Sequence, residues 1–264
     1  MSRMIDIHTH ILPGLDDGAA DWNDTLSMAK AAAAEGITKL ISTPHHANGR
    51  YDNPAVEVRA HVNRTNERLA DAGVPVTVAP GQEIRVHGDL LDAWHRGELL
   101  TLADSAYVLI EMPFSHVPKD MKELIHELGV LRLRPIIAHP ERNAEIVKRP
   151  RLLAELVELG ACAQMTTHSL LGDFGRQVRQ AAWTLCESGL IHLVSSDAHH
   201  HERRGFRMRE AYEAIRQRMG EPWEAYYKRN ARCVADDMPF DSPPSATASD
   251  TLLRRLLSFF TGSS

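Results

Sequence analysis

The sequence predicts an α/β protein, in the form of a distorted (β/α)7-type, TIM-like barrel. Three observations predict it. Short apolar runs alternate with longer helical stretches seven times between residues 4 and 219. Four of the runs, KLIST (39–43), YVLIEM (107–112), RPIIAH (134–139) and IHLVSS (191–196), are nearly continuous rather than alternating, as in parallel strands covered on both faces. The length, 264 residues, suits one large core of this kind. A doubly wound open sheet shares this element order and stays open on order alone.

Residues 4–8 form the first expected strand, followed by a helix over 24–35 that Gly36 ends. The second strand is 37–43, and the helix at 54–72 ends at Gly73. The third strand is 74–79, with a short helix near 90–96. The fourth is 106–111, then a helix at 120–128 before Gly129. The fifth is 135–138, and the helix at 150–159 carries Pro150 at its start and Gly160 past its end, the usual asymmetry of helix termini. The sixth strand, 161–166, leads to a helix at 174–187 before Gly189. The seventh, 190–195, leads to a helix at 208–219.

Hydrophobic residues at 43% and charged ones at 25% exclude a wholly disordered chain, since enough apolar surface is present to offset ordering entropy. A formal charge of −5 offers nucleic acid no global attraction, and none is expected as a partner. Cys162, Cys186 and Cys233 are odd in number and form no CxxC pair, against a disulfide framework or a zinc knuckle. No signal-peptide core opens the chain and no run of ~18 apolar residues interrupts it, so a cytoplasmic protein without an integral membrane segment is expected. Residues 1–238 read as one domain. In 239–264, DSPPSATASD (241–250) reads as a linker. TLLRRLLSFF (251–260) reads as a short amphipathic helix, packed on the same domain or on a sister subunit of a homo-oligomer, with attachment to a membrane surface as the other reading.

The chemistry lies at the strand ends. His8 and His10 (DIHTH), His45 and His46 (STPHH), Glu83 (GQEI), Glu111 (LIEMP), His139 (IIAHPER), and Asp197 and His199 (SSDAH) each close or follow an expected strand. In a parallel α/β barrel those ends gather on one face. His8 and His10 are two apart, so one strand face presents both imidazoles to the same ion, and Asp197 and His199 repeat the spacing. Mixed nitrogen and oxygen donors suit Zn²⁺, Mn²⁺ or Fe²⁺ better than Mg²⁺ alone. So many donors imply more than one ion, with a carboxylate such as Glu83 as a bridge. His46 is read as an exposed extra histidine. His61, His87, His95, His126 and His192 are read as surface or packing residues, His116 and His168 stay open, and Gly14 and Gly18 are read as turn residues.

At these residues the sequence resembles the PHP (polymerase and histidinol phosphatase) superfamily. Within it, the chain is similar to the bacterial metal-dependent tyrosine phosphatases of the CpsB/YwqE type found with capsule and exopolysaccharide genes. The motifs are DIHTHILPGLDDG (6–18), STPHH (42–46), GQEI (81–84), LIEMP (109–113), IAHPER (137–142) and SSDAHH (195–200), with DDG and HPER pointing to the tyrosine phosphatase group. The resemblance covers residues 1 to 238 and implies the PHP fold with three divalent ions, manganese first, iron(II) or zinc as alternatives. It implies His8, His10, Glu83 and Asp197 around the first ion, and Glu83, Glu111 and His139 around the second. Asp17, His45 and His199 surround the third, with Asp16 as a neighbour. Arg142 and Arg204 match arginines near the substrate phosphate; Arg203 and Arg207 lie close to the latter. The implied substrate is a phosphotyrosine protein, the Tyr-rich tail of a bacterial tyrosine kinase.

Clustered divalent ions neutralise a phosphate dianion and lower the pKa of bound water, which agrees with that resemblance. A cysteine-dependent mechanism needs a Cys-x5-Arg loop, but the residue six past Cys162, Cys186 and Cys233 is His168, His192 and Pro239. Two other functions fit the same residues: a small-molecule phosphatase acting on histidinol phosphate or a sugar phosphate, and a catalytically silent PHP module that binds a partner.

Overall fold

The computed structural model describes residues 4–244. The amphipathic stretch at 251–260 and most of the expected linker lie outside the described residues. Every strand pairing is parallel, but the hydrogen bonds form two sheets rather than one closed ring. β1 (Met4–Thr9), β2 (Ile37–Ser42) and β4 (Thr77–Ala79) make the smaller sheet, in the order β1-β2-β4. β3 (His45–His46), β5 (Glu83–Arg85), β6 (Tyr107–Glu111), β7 (Arg134–Ala138), β8 (Cys162–Thr166) and β9 (Leu193–Ser195) make the larger.

The second and third expected strands are thus each followed by a short extra strand in the other sheet. Each interruption falls at a proline, Pro44 and Pro80, which has no N–H to give a ladder. Their carbonyls still accept, Pro44 from the Glu83 N–H at 3.1 Å and Pro80 from the Ala103 N–H at 2.7 Å. At the opposite side, β1 meets the segment after β9. Thr9 bridges Ala198, the Asp197 N–H donates to the His8 carbonyl at 2.9 Å, and the His10 N–H donates to the Ala198 carbonyl at 2.9 Å.

Helices lie between the strands. α1 (Trp22–Glu35) is capped by the Asp21 carboxylate, which accepts from the Asn23 and Asp24 N–H groups, and it stops at Gly36, whose φ of 85° is left-handed. α2 (Ala55–Asp71), α3 (Leu90–His95), α4 (Met121–Val130), α5 (Ala144–Lys148), α6 (Arg151–Glu158), α7 (Thr167–Leu171), α8 (Arg176–Glu187) and α9 (Met208–Met219) follow. The short α5 and α7 were not expected. Nor was α10 (Glu221–Ala235), although Pro222 in its first turn is a legible start signal. Its Trp223, Tyr226, Tyr227, Asn230, Ala231 and Val234 are buried at helical spacing.

Two apolar clusters hold the elements together. The larger lies between strands and helices, with Leu40, Ile110, Ile137 and Val194 against side chains such as Met28, Ile125, Leu153 and Leu185. The smaller takes Ile7, Ile41, Leu109, Ile136 and Leu193 from five different strands, and Ala231 and Val234 of α10 pack on it. Side chains of Ala79 and Cys162 join that cluster, as does Phe240, stacked on Tyr107 at 4.8 Å.

β1 carries an irregularity that positions the site. Asp6 pairs with Leu40, but Thr9 pairs with Ser42, so one extra residue enters β1 between them. Ile7 points into the smaller cluster, and strict alternation would turn His8 to the other face. The bulge turns it back to the side of Gln164 and Glu83, as bulges beside functional sites do.

His192 packs as read. Its Nδ1 accepts from the Ala163 N–H at 3.2 Å, and its carbonyl accepts from Asn230. Burial pushes its pKa down to about 4. A base lowered in the folded state contributes stability fully above its ordinary value of 6.5, and that stability is lost as pH falls towards 4. The urea midpoint of the wild type is therefore expected to fall faster than that of His192→Gln across this window. The difference approaches at most about 1.4 kcal/mol per pH unit. Parallel falls in the two proteins would remove His192 from the acid response.

Candidate metal centre

Eight of the nine side chains expected at the strand ends, all but His46, converge, and Asp17 joins them. They form four overlapping groups whose donor atoms lie within 4.8 Å of one another: His10, Asp17, His45 and His199; His8, His10 and Asp197; His8, Glu83 and His139; His45, Glu83 and Glu111. Glu111 is the last residue of β6, His139 follows β7 directly, and Asp197 and His199 follow β9. Asp17 comes from the loop between β1 and α1. Glu83 follows β4 as expected and also opens β5, as His45 opens β3 after β2.

The spacing is that of donors around a cation. His8 Nε2 lies 3.3 Å from His10 Nε2, 3.3 Å from Glu83 Oε2 and 3.4 Å from Asp197 Oδ1. His10 Nε2 lies 3.5 Å from Glu83 Oε2 and 3.3 Å from Asp197 Oδ1. A donor tetrahedron with bonds of about 2.1 Å has edges of about 3.4 Å. Five of the six edges between these four atoms match it; Glu83 and Asp197 share none of the four groups, so each faces the histidine pair separately.

The ring nitrogens turned away from the centre are held. His10 Nδ1 meets Asp16 Oδ2 at 2.6 Å, and His8 Nδ1 meets Gln164 Oε1, the side-chain amide oxygen, at 3.0 Å. His199 Nδ1 donates to the Asp197 carbonyl at 2.9 Å and leaves Nε2 facing Asp17, 3.4 Å away. Donation through Nδ1 leaves the Nε2 lone pairs of His8 and His10 pointing inward, the arrangement by which a neighbouring group orients a ligating histidine. Asp16 also accepts from the His45 and Gly18 N–H groups, so it acts through His10 and lies outside the four groups. Gln164 carried no sequence signal; only the β7–β8–β9 order brings it to His8. Gly18 is required by close approach, since a Cβ there would overlap the His10 carbonyl.

Buried Glu83 Oε2 and His45 Nδ1 have no hydrogen-bond donor and lie only 3.0 Å apart, and Glu111 Oε2 has no partner beyond an ion pair with Arg85. Leaving such atoms unpaired is costly, and a shared cation satisfies them together. Burial and the Glu83 carboxylate push Glu111 up to about 7, and burial with Arg142 takes His139 down to about 4. Burial opposes ionisation of Asp197, yet His8, Arg204 and Arg142 hold its carboxyl well below the usual range. His139 (φ 31°) and Asp197 (φ 54°) both occupy left-handed backbone, a strain that concentrates at functional sites.

Arg142 and Arg204 stand beside the cluster. Both guanidinium groups donate to Asp197 Oδ2, Arg142 at 2.6 Å. Arg207 instead pairs with Asp173 and Glu210, away from Asp197. Arg85, which the sequence did not single out, reaches Glu111 Oε2 at 3.1 Å. The reading of His46 as exposed is corrected: it is 4% exposed and sits 3.2 Å from Asp52, because it pairs in β3 beside β5 with its side chain turned away from the cluster. His168 is buried and His116 exposed. Burial pushes the Cys162 thiol up to about 12 and raises Cys186 and Cys233, so no cysteine is poised as a thiolate.

Scaffold and site together define an α/β protein with parallel sheets and a buried histidine–carboxylate centre suited to metal binding. The chain belongs to the family described as capsular polysaccharide synthesis, CpsB/CapC, whose model matches residues 4–234. It is 42% identical over 258 residues to tyrosine-protein phosphatase YwqE of Bacillus subtilis, covering 97% of this chain and 100% of the relative. Tyrosine-protein phosphatase CpsB of Streptococcus pneumoniae is 26% identical over 222 residues, 82% of this chain and 91% of the relative. A solved structure from work on YwqE of Bacillus subtilis and CpsB of Streptococcus pneumoniae, described as unique metal-dependent tyrosine phosphatases, superposes with a TM-score of 0.88 at 42% identity. It covers 92% of this chain and 99% of that one. A variant of organophosphorus hydrolase from Deinococcus radiodurans shares the fold, with a TM-score of 0.54 at 14% identity over 87% of this chain and 92% of that one.

Proposed function

We infer that this chain is a metal-dependent protein-tyrosine phosphatase acting in capsular or exopolysaccharide synthesis. The observation that carries this reading is the convergence of nine donor residues, with the His8 and His10 Nε2 atoms 3.3–3.5 Å from each other and from Glu83 and Asp197, beside a pair of arginines. Three divalent ions fit the donor set, manganese first, with iron(II) or zinc as alternatives. His8, His10, Glu83 and Asp197 would hold one. Glu83, Glu111 and His139 would hold the second, and Asp17, His45 and His199 the third. When bound, the ions neutralise a phosphate dianion and lower the pKa of bound water.

The chain's own residues do the rest. Arg142 and Arg204 exchange the Asp197 oxygen for phosphoryl oxygens, each offering N–H donors in a planar fork. Asp16 and Gln164 keep the His10 and His8 rings in the orientation the centre needs. A tyrosyl phenolate is a fairly good leaving group, so strong acid assistance is not required.

The substrate in this reading is the Tyr-rich tail of a bacterial tyrosine kinase, met in the cytoplasm. Among the described residues no helix is long and apolar enough to cross a membrane. The strands are read as one distorted seven-stranded PHP barrel. That reading is supported by the splits at Pro44 and Pro80, the Thr9–Ala198 bridge and the cluster shared by the strands. Residues 1–238 are read as the phosphatase domain and 239–264 as linker and tail, with the tail a candidate contact in a homo-oligomer.

Turnover of a phosphotyrosine peptide is to be compared with that of histidinol phosphate, after chelation and re-addition of Mn²⁺, Fe²⁺, Zn²⁺ or Mg²⁺. The expected result is a kcat/KM at least tenfold higher on the peptide, lost on chelation and restored by Mn²⁺. A preference for histidinol phosphate would move the substrate class to metabolites. Bound metal without turnover of either would favour a non-catalytic module.

A further inference from the structure

Six large hydrophobic side chains are exposed among the described residues, and the two aromatic ones, Phe114 (46% exposed) and Phe174 (38%), stand at the same place. Single exposed apolar residues are ordinary, but these two both lie against the Arg142 guanidinium next to the metal centre. Arg142 Cζ lies 5.0 Å from the Phe114 ring centre and 5.5 Å from that of Phe174. Arg204 Cζ is 5.8 Å from Phe174, and Arg85 Cζ is 5.9 Å from Phe114. Phe114 also lies 5.8 Å from the His139 ring.

Neither ring is on a free loop. Asn143 follows Arg142 and donates to the Pro113 and His116 carbonyls at 2.7 and 2.8 Å, and the Ala144 N–H donates to the Phe114 carbonyl at 2.7 Å. Phe174 follows Asp173, whose carboxylate pairs with Arg207 and whose N–H donates to the His168 carbonyl. The backbone that carries each ring is therefore anchored beside the arginines.

We propose that Phe114 and Phe174 are specificity-determining residues that receive the aryl ring of the substrate, so that this site prefers aryl over alkyl phosphate monoesters. The proposal rests on the reading of Arg142 and Arg204 as the phosphoryl grip. With the phosphoryl group on those two guanidiniums, the group it is bonded to emerges beside the two rings. A flat tyrosyl ring there packs offset or edge-on against phenylalanine and covers apolar surface now in water. A short alkyl group offers no such face.

The test uses the full-length Mn²⁺-loaded protein, with Phe114→Ala, Phe174→Ala, the double variant, and Phe114→Tyr with Phe174→Tyr as conservative controls. Two readouts are taken: kcat and KM on a phosphotyrosine peptide, and calorimetric affinity for phenylphosphonate against methylphosphonate. The double alanine variant is expected to lose at least tenfold in affinity for phenylphosphonate and less than twofold for methylphosphonate. The peptide loss should fall mainly in KM, and the tyrosine variants should keep the discrimination. Equal losses for both phosphonates would mean that the rings only position the arginines, and no loss for either would mean that they do nothing; each overturns the proposal. Absence of any phosphatase turnover would sink the functional reading separately, while the phosphonate arm still decides this one.

Discussion

His139→Asn and Asp197→Asn are each expected to lower turnover of p-nitrophenyl phosphate at least about a hundredfold while leaving the helical circular dichroism unchanged. Asparagine is the informative replacement because both positions have positive φ, at 31° and 54°. Asn tolerates left-handed backbone, whereas Ala would add strain to the loss of a donor. His139 Nε2 lies 2.7 Å from Glu83 Oε1, and Glu83 is shared by two of the four donor groups, so losing His139 weakens more than one set of contacts. Asp197 supplies one donor oxygen to the His8–His10 set and the other to both arginines, so its amide removes a charge from both. Elemental analysis should show less bound metal in each variant. Chelation should silence the wild type and Mn²⁺ should restore it, with no comparable rescue of the variants. Wild-type turnover with full metal content in both variants would dismantle the assignment of this centre.

Arg142→Ala is expected to lower kcat/KM on a phosphotyrosine peptide by about 10²–10³, the range for removing one preorganised donor to a transition-state oxyanion. Its metal content should stay near that of the wild type, since Arg142 donates to Asp197 and ligates nothing. Arg142→Lys should recover only part of the loss, because an ammonium restores the charge but not the planar pair of donors. The side chain is also fixed between Asp197 and the Phe114 and Phe174 rings, and a flexible lysine is not. Full activity in Arg142→Lys would reduce the role to charge alone. Metal lost in Arg142→Ala would make it a support of the centre rather than a grip on phosphate.

Much of this was legible in the residues. Gly36, Gly73 and Gly160 end helices where expected, and the continuous runs at 107–112 and 134–139 became β6 and β7. The His8–His10 spacing brought two imidazole edges together, because a strand repeats every two residues even where a bulge corrects the aim. What stayed hidden depended on neighbours distant in the chain. Gln164 looks like any strand glutamine until β8 lies near His8. His46 looks like an exposed neighbour of a ligand until β3 pairs with β5 and buries it away from the centre. The division of the strands into two sheets follows from prolines whose effect on pairing is local, but whose partner strands are chosen by the whole fold.

Which residue types stand at strand ends, and how far apart they are, was readable along the chain, because element period and terminus signals act over a few residues. Which of those side chains share a cation-sized space, which groups orient them, and that Phe114 and Phe174 both pack on Arg142 followed only from how distant segments come together. Those are distances between segments that the chain brings together only by burying its apolar faces, and no local pattern encodes them.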